Sequence, residues 1–119
     1  MQSINFIKNG ISLLYGMNPL FFILKNDFLF LDEVDNVIIR YIRFRFMPQP
    51  NDDGLRISGC KNVIVDHCSF SGQTDEAIDV STTGSNVNNI SLQRNTISQS
   101  KTGILMGNGA GATNAMNNI

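Results

Sequence analysis

The sequence predicts an all-β chain wound as a parallel β-helix of about four coils, and three observations predict it. First, Asn36-Val37-Ile38-Ile39, Asn62-Val63-Ile64-Val65 and Asn89-Ile90-Ser91-Leu92 repeat one pattern at a nearly constant interval. Second, apolar residues alternate inside each segment, so Val37/Ile39, Val63/Val65 and Ile90/Leu92 share one face, as the two-residue period of a strand requires. Third, no helical periodicity separates the segments. A repeat of this length cannot bury its own apolar face, and stacking coils at about 4.8 Å makes the core.

Taken in order, the elements support that reading. Phe44, Phe70 and Ile97 follow the three asparagines by eight positions and occupy equivalent places. Asn36, Asn62 and Asn89 then lie above one another and form an amide ladder at a bend. A second register carries the apolar pairs Leu55/Ile57, Ile78/Val80 and Ile104/Met106, which recur about once per coil. Upstream, Ile11/Leu13 and Phe28/Phe30 mark a further, less regular coil. The apolar stretch from Ile11 to Leu24 reads as buried strand. Gly16, Asn18 and Pro19 break it, no small-residue cleavage pattern follows, and it is too short to span a bilayer. The coils are expected over residues 1–107. Residues 108–119, rich in Gly, Ala and Asn, are expected to form a flexible or frayed end without a polar cap, as in a solenoid cut in mid-course. A β-sandwich also uses short strands and turns, but the regular register of the repeats argues against it.

Composition narrows the function classes. The 119 residues suit one domain, and 42% hydrophobic with 16% charged residues excludes a disordered tail. A net charge of −1 gives no global field toward nucleic acid or an anionic membrane. Cys60 and Cys68 form no C-x-x-C pair and cannot complete a zinc site with the single His67; they read as buried thiols.

Carboxylates gather before the second register. Asp53, Asp75 and Lys101 lie two or three residues ahead of Leu55, Ile78 and Ile104, so they are expected to stack along one edge. Asp79, between inward Ile78 and Val80, faces outward on the same sheet. Converging carboxylates repel unless a cation lies between them, and oxygen-only donors from separate coils suit calcium. Residues four apart in a straight strand are about 13 Å apart, so Asp75 must sit around a bend for both it and Asp79 to touch one ion. Glu76 is an adjacent candidate ligand ranked after Asp75. Arg43 and Arg45 are candidates to touch a polyanion.

The runs Asn36 to Arg45 (NVIIRYIRFR), Asp53 to Phe70 (DGLRISGCKNVIVDHCSF), Thr74 to Val80 (TDEAIDV) and Ser100 to Gly107 (SKTGILMG) resemble pectate lyases of polysaccharide lyase family 1. The resemblance implies a right-handed parallel β-helix and calcium-assisted β-elimination of an acidic polysaccharide such as pectate or polygalacturonate. It also implies a secreted protein, although the chain shows no clear signal peptide. Asp53, Asp75 and Asp79 match the calcium-binding carboxylates, and Lys101 the lysine that contacts the substrate carboxylate. Arg45 is a further substrate-binding candidate. Asp66 and His67 match a D-H pair in the solenoid body, where a structural hydrogen-bonding role is expected.

The sequence also departs from that family. No R-x-P-x-x-R-like stretch supplies the arginine base, Gln99-Ser100 replace the usual His-Asp before the lysine, and Arg94 belongs to the strand register away from the carboxylates. The expectation is therefore a lyase fragment with calcium and substrate subsites but an incomplete catalytic set. The alternatives are a non-catalytic β-helical module for acidic glycan and a purely structural solenoid.

Overall fold

The computed structural model describes residues 4–6, 12–15, 23–25, 27–46, 49–83, 85–107 and 114–119, with backbone alone at 4–6 and 12–15. Its strands come in chain order as β1 (Ile4–Phe6), β2 (Ser12–Tyr15) and β3 (Ile23–Lys25), then β4 (Leu29–Asp32), β5 (Asp35–Arg40) and β6 (Arg43–Arg45). The next coil holds β7 (Leu55–Ser58), β8 (Lys61–Asp66) and β9 (Ser69–Ser71). β10 (Glu76–Ser81), β11 (Val87–Gln93) and β12 (Thr96–Ser98) follow, and β13 (Thr102–Gly107) and β14 (Met116–Asn117) come last. Every strand pairs in parallel with the strand one coil away. Three sheets result: sheet A in the order β1-β4-β7-β10-β13, sheet B in the order β14-β11-β8-β5-β2, and sheet C in the order β12-β9-β6-β3. This is the expected parallel β-solenoid.

The core consists of rungs, because equal registers place like residues over one another. Leu29, Leu55 and Ile78 align, as do Leu31, Ile57 and Val80, and all six are buried. Val37 and Val63 align with Ile90, and Ile39 and Val65 with Leu92. On sheet C, Leu24, Phe44, Phe70 and Ile97 form one rung. The Phe44 and Phe70 rings stack with centroids 4.5 Å apart and planes 5° from parallel. Cys60 and Cys68 are free, buried thiols, each pushed up to about 11 by desolvation. Ile104 and Met106 continue the sheet A rungs but are 43% and 46% exposed, since no described strand pairs with the far side of β13.

Sharp bends between short strands need left-handed residues. Tyr41, His67 and Arg94, with φ of 58°, 52° and 53°, stack at the corner from sheet B to sheet C. The expected amide ladder is present: Asn62 Nδ2 donates to Asn36 Oδ1 at 3.0 Å, and Asn89 Nδ2 to Asn62 Oδ1 at 2.9 Å. The three asparagines have φ of 62°, 56° and 56°, a region asparagine tolerates better than other residues with a Cβ.

Two expectations change. Leu29 and Leu31, not Phe28 and Phe30, fill the sheet A rung, and Phe30 aligns with outward Arg56. At the C-terminal end, Met116 pairs with Val87, and Asn118 Nδ2 extends the ladder to Asn89 Oδ1 at 3.0 Å. Residues 114–119 therefore begin another coil where a frayed end was expected. Residues 108–113, and Ile11 and 16–22 of the upstream stretch, lie outside the described residues. Leu13 aligns with outward Ile38, and Leu14 with buried Ile39.

Candidate metal centre on sheet A

The register of sheet A decides which acidic residues meet. Leu55 aligns with Ile78. Extended backward, that alignment sets Asp53 under Glu76 and Asp52 under Asp75, and the next coil adds Lys101 above Asp75. Backbone bonds carry it: Asp75 N donates to Asp52 O at 3.2 Å, Gly54 N to Glu76 O at 2.9 Å, and Thr102 N to Asp75 O at 3.1 Å. Gly54 allows this close stacking, for a Cβ there would lie 2.8 Å from the Ala77 carbonyl oxygen. The expected stack of Asp53, Asp75 and Lys101 is thus two adjacent rungs.

One carboxylate oxygen each from Asp53, Asp75 and Glu76 lies within 4.8 Å of the other two, so these residues could hold a metal ion. That limit is about twice a Ca–O distance of roughly 2.4 Å, the spacing at which oxygen ligands of one hard cation stand. Asp53 is buried, and its Oδ1 accepts from Glu76 N at 3.2 Å. Desolvation and the Glu76 carboxyl push Asp53 up to about 7, against the opposing pull of Arg56. Carboxyl groups this close share a proton or a cation. On the same edge, Asp52 Oδ2 is buried without a hydrogen-bond partner among the described residues.

Asp79 has a different place. Its Oδ2 accepts from Arg56 Nε at 2.8 Å, and the same nitrogen lies 3.1 Å from Asp53 Oδ2. Arg56 thereby ties Asp79 to Asp53, while Glu76, ranked below Asp75 in the sequence, completes the three-oxygen group. Burial raises the Asp79 pKa and Arg56 opposes it. Sequence reasoning missed Arg56, although its position between inward Leu55 and Ile57 forces it outward beside Asp79. Lys101 Nζ donates to Asp75 Oδ1 at 3.2 Å, so it stands at the group as expected. Beside these residues a groove of about 480 Å³ runs over the outer face of sheet A, lined by Phe30, Arg56, Ser58, Asp79, Ser81 and Leu105 among others.

Arg45 belongs to sheet C. Its guanidinium donates to Phe44 O and Ser69 O at 2.8 Å and to Ser69 Oγ at 2.7 Å, all on sheet C and apart from the acidic group. Asp66 is buried in the solenoid wall, where it binds Arg40 at 2.7 Å, Arg94 at 2.8 Å and His67 Nδ1 at 2.9 Å. Arg94, then His67, hold its carboxyl far below the usual range. This triple pairing across three coils is the structural role expected of Asp66 and His67.

Fold and site together define a parallel β-solenoid with an acidic, cation-competent edge on one sheet. The chain matches no protein-family model, no curated protein and no solved structure.

Proposed function

We propose that the chain is a pectate lyase-like β-helix that binds calcium at Asp53, Asp75 and Glu76 and an acidic polysaccharide in the adjoining groove. The observation that carries this reading is the convergence of three carboxylate oxygens within 4.8 Å, with Lys101 Nζ 3.2 Å from Asp75 Oδ1, beside an open groove. Calcium bound there would supply a Lewis acid for a uronate carboxylate and offset the repulsion between an acidic edge and a polyanion. Lys101 is 61% exposed at its side chain and can turn from Asp75 to a sugar carboxylate. There it would stabilise the negative charge that develops when the neighbouring carbon loses its proton. The sequence resemblance adds the reaction, β-elimination of polygalacturonate, and with it a secreted location.

The non-catalytic reading has its own support. Arg56, the arginine that lines the groove, is already engaged by Asp53 and Asp79, and β-elimination needs a base. The expected outcome for this chain is calcium-dependent binding of polygalacturonate with little or no unsaturated uronate product. The test combines polygalacturonate binding with and without calcium and the ultraviolet absorbance of that product. Equal binding with and without calcium would remove the proposed function, and robust turnover would overturn the assignment of Arg56 as a non-base.

A further inference from the structure

The charges of this chain are sorted by face. Most carboxylates, Asp32, Glu33, Asp52, Asp53, Asp75, Glu76 and Asp79, lie on or beside sheet A strands, while Asp35 opens β5, Asp66 ends β8 and Asp27 lies between β3 and β4. Five of the nine basic residues, Lys25, Arg40, Arg43, Arg45 and Arg94, lie instead on sheet C or at its corner with sheet B. The alternation of sheet C puts Leu24, Phe44, Phe70 and Ile97 inward, which turns the other positions out. Two outward rungs result. Ile23, Arg43, Ser69 and Thr96 form one, and Lys25, Arg45, Ser71 and Ser98 the other. None carries a carboxylate. Arg45 is bonded to neutral oxygens, and burial together with the neighbouring Arg43 charge lowers its pKa. Like charges held together in this way are relieved by an anion. At the adjoining corner Asp66 answers Arg40 and Arg94 together, leaving an excess of positive charge.

We propose that the outer face of sheet C is a second, metal-independent binding surface for an acidic polysaccharide, with Lys25 and Arg43 meeting carboxylates and the Ser and Thr rows meeting sugar hydroxyls. The proposal rests on the previous reading only for the identity of the polymer. The chemistry of the face separates a glycan from a nucleic acid. Half of the outward positions are hydroxyls, and none is an aromatic platform on which bases would stack. Sheet A would hold polymer through calcium, sheet C through fixed charge.

The experiment measures polygalacturonate binding to the whole chain in EDTA. Binding is expected to persist and to weaken as salt rises. Lys25→Ser with Arg43→Ser, which copies the residues already present at the equivalent places in β9, should weaken it about tenfold. Ser98→Arg, which adds a cation to the second outward rung, should strengthen it. Circular dichroism of each variant controls for folding. Complete loss of binding in EDTA would overturn the proposal, as would wild-type affinity in the double variant. Displacement of polygalacturonate by an equal charge of duplex DNA would do the same. Loss of the calcium-dependent part alone would count against the site on sheet A and leave this one standing.

Discussion

Asn62 tests whether the amide ladder and the left-handed bend stabilise the solenoid separately. Its side chain makes two ladder bonds, to Asn36 at 3.0 Å and from Asn89 at 2.9 Å, and its φ is 56°. Asn62→Gly keeps the bend and removes both bonds. Each exposed amide bond contributes about 0.5 kcal/mol, at the low end of the usual range. The added freedom of glycine costs the fold about 0.5–1 kcal/mol more, so the total is about 1.5–2 kcal/mol. Asn62→Ala loses the same bonds and also places a Cβ in the left-handed region at a cost of about 1–2 kcal/mol, about 2–3 kcal/mol in all. Urea unfolding followed by circular dichroism, with slopes compared to confirm a common unfolded state, measures both. The order should be wild type, then glycine, then alanine. An alanine variant as stable as the glycine variant would refute the bend argument, and two variants indistinguishable from wild type would refute the ladder.

Three other outcomes follow from the same geometry. Phe70→Ala leaves a void beneath the stacked Phe44 ring and should cost about 3–5 kcal/mol in the same urea experiment, with Phe70→Leu far milder. Asp53 is raised to about 7 in the folded chain, above an unfolded value of about 3.9, so the folded state binds the proton more tightly and stability falls as pH rises from about 4 to about 7. Unfolding midpoints in EDTA across that window should show the decline, and Asp53→Asn should flatten it. Lys101→Met frees Asp75 of its exposed partner. It should tighten calcium about threefold in calorimetry while weakening calcium-dependent polygalacturonate binding.

Much of the fold is legible because a solenoid repeats its physics at every coil. Asn36, Asn62 and Asn89 must each turn the chain left-handed at the same corner, and Phe44, Phe70 and Ile97 must each fill the same rung, so period and residue type agree. The site is legible only in part. Segments between sheets A and B vary in length, with two residues between β7 and β8 and five between β10 and β11, so the step from Leu55 to Ile78 is shorter than the step from Ile78 to Ile104, although each is one coil. A single coil length cannot be carried from one to the other. Reading Asp53 and Asp75 as one coil apart sets them side by side, whereas the register puts Asp52 beside Asp75 and brings Glu76 over Asp53. Phe28 and Phe30 draw attention by size, yet Leu29 and Leu31 precede Leu55 and Ile57 by one full period. Asn118 escapes notice because the Gly- and Ala-rich stretch before it has no alternation, although it continues the ladder one coil beyond Asn89. Arg45 looks available to a groove polymer, but its guanidinium is used to hold the next coil.

A calcium titration of the intact chain by calorimetry, repeated with Asp75→Ala and Asp66→Ala, weighs the metal centre against everything else in the structure. One ion per chain should bind to the parent and to a folded Asp66→Ala, and binding should vanish with Asp75→Ala. A parent chain that takes up no calcium at millimolar concentration, or an Asp75→Ala variant that binds as the parent does, would contradict it.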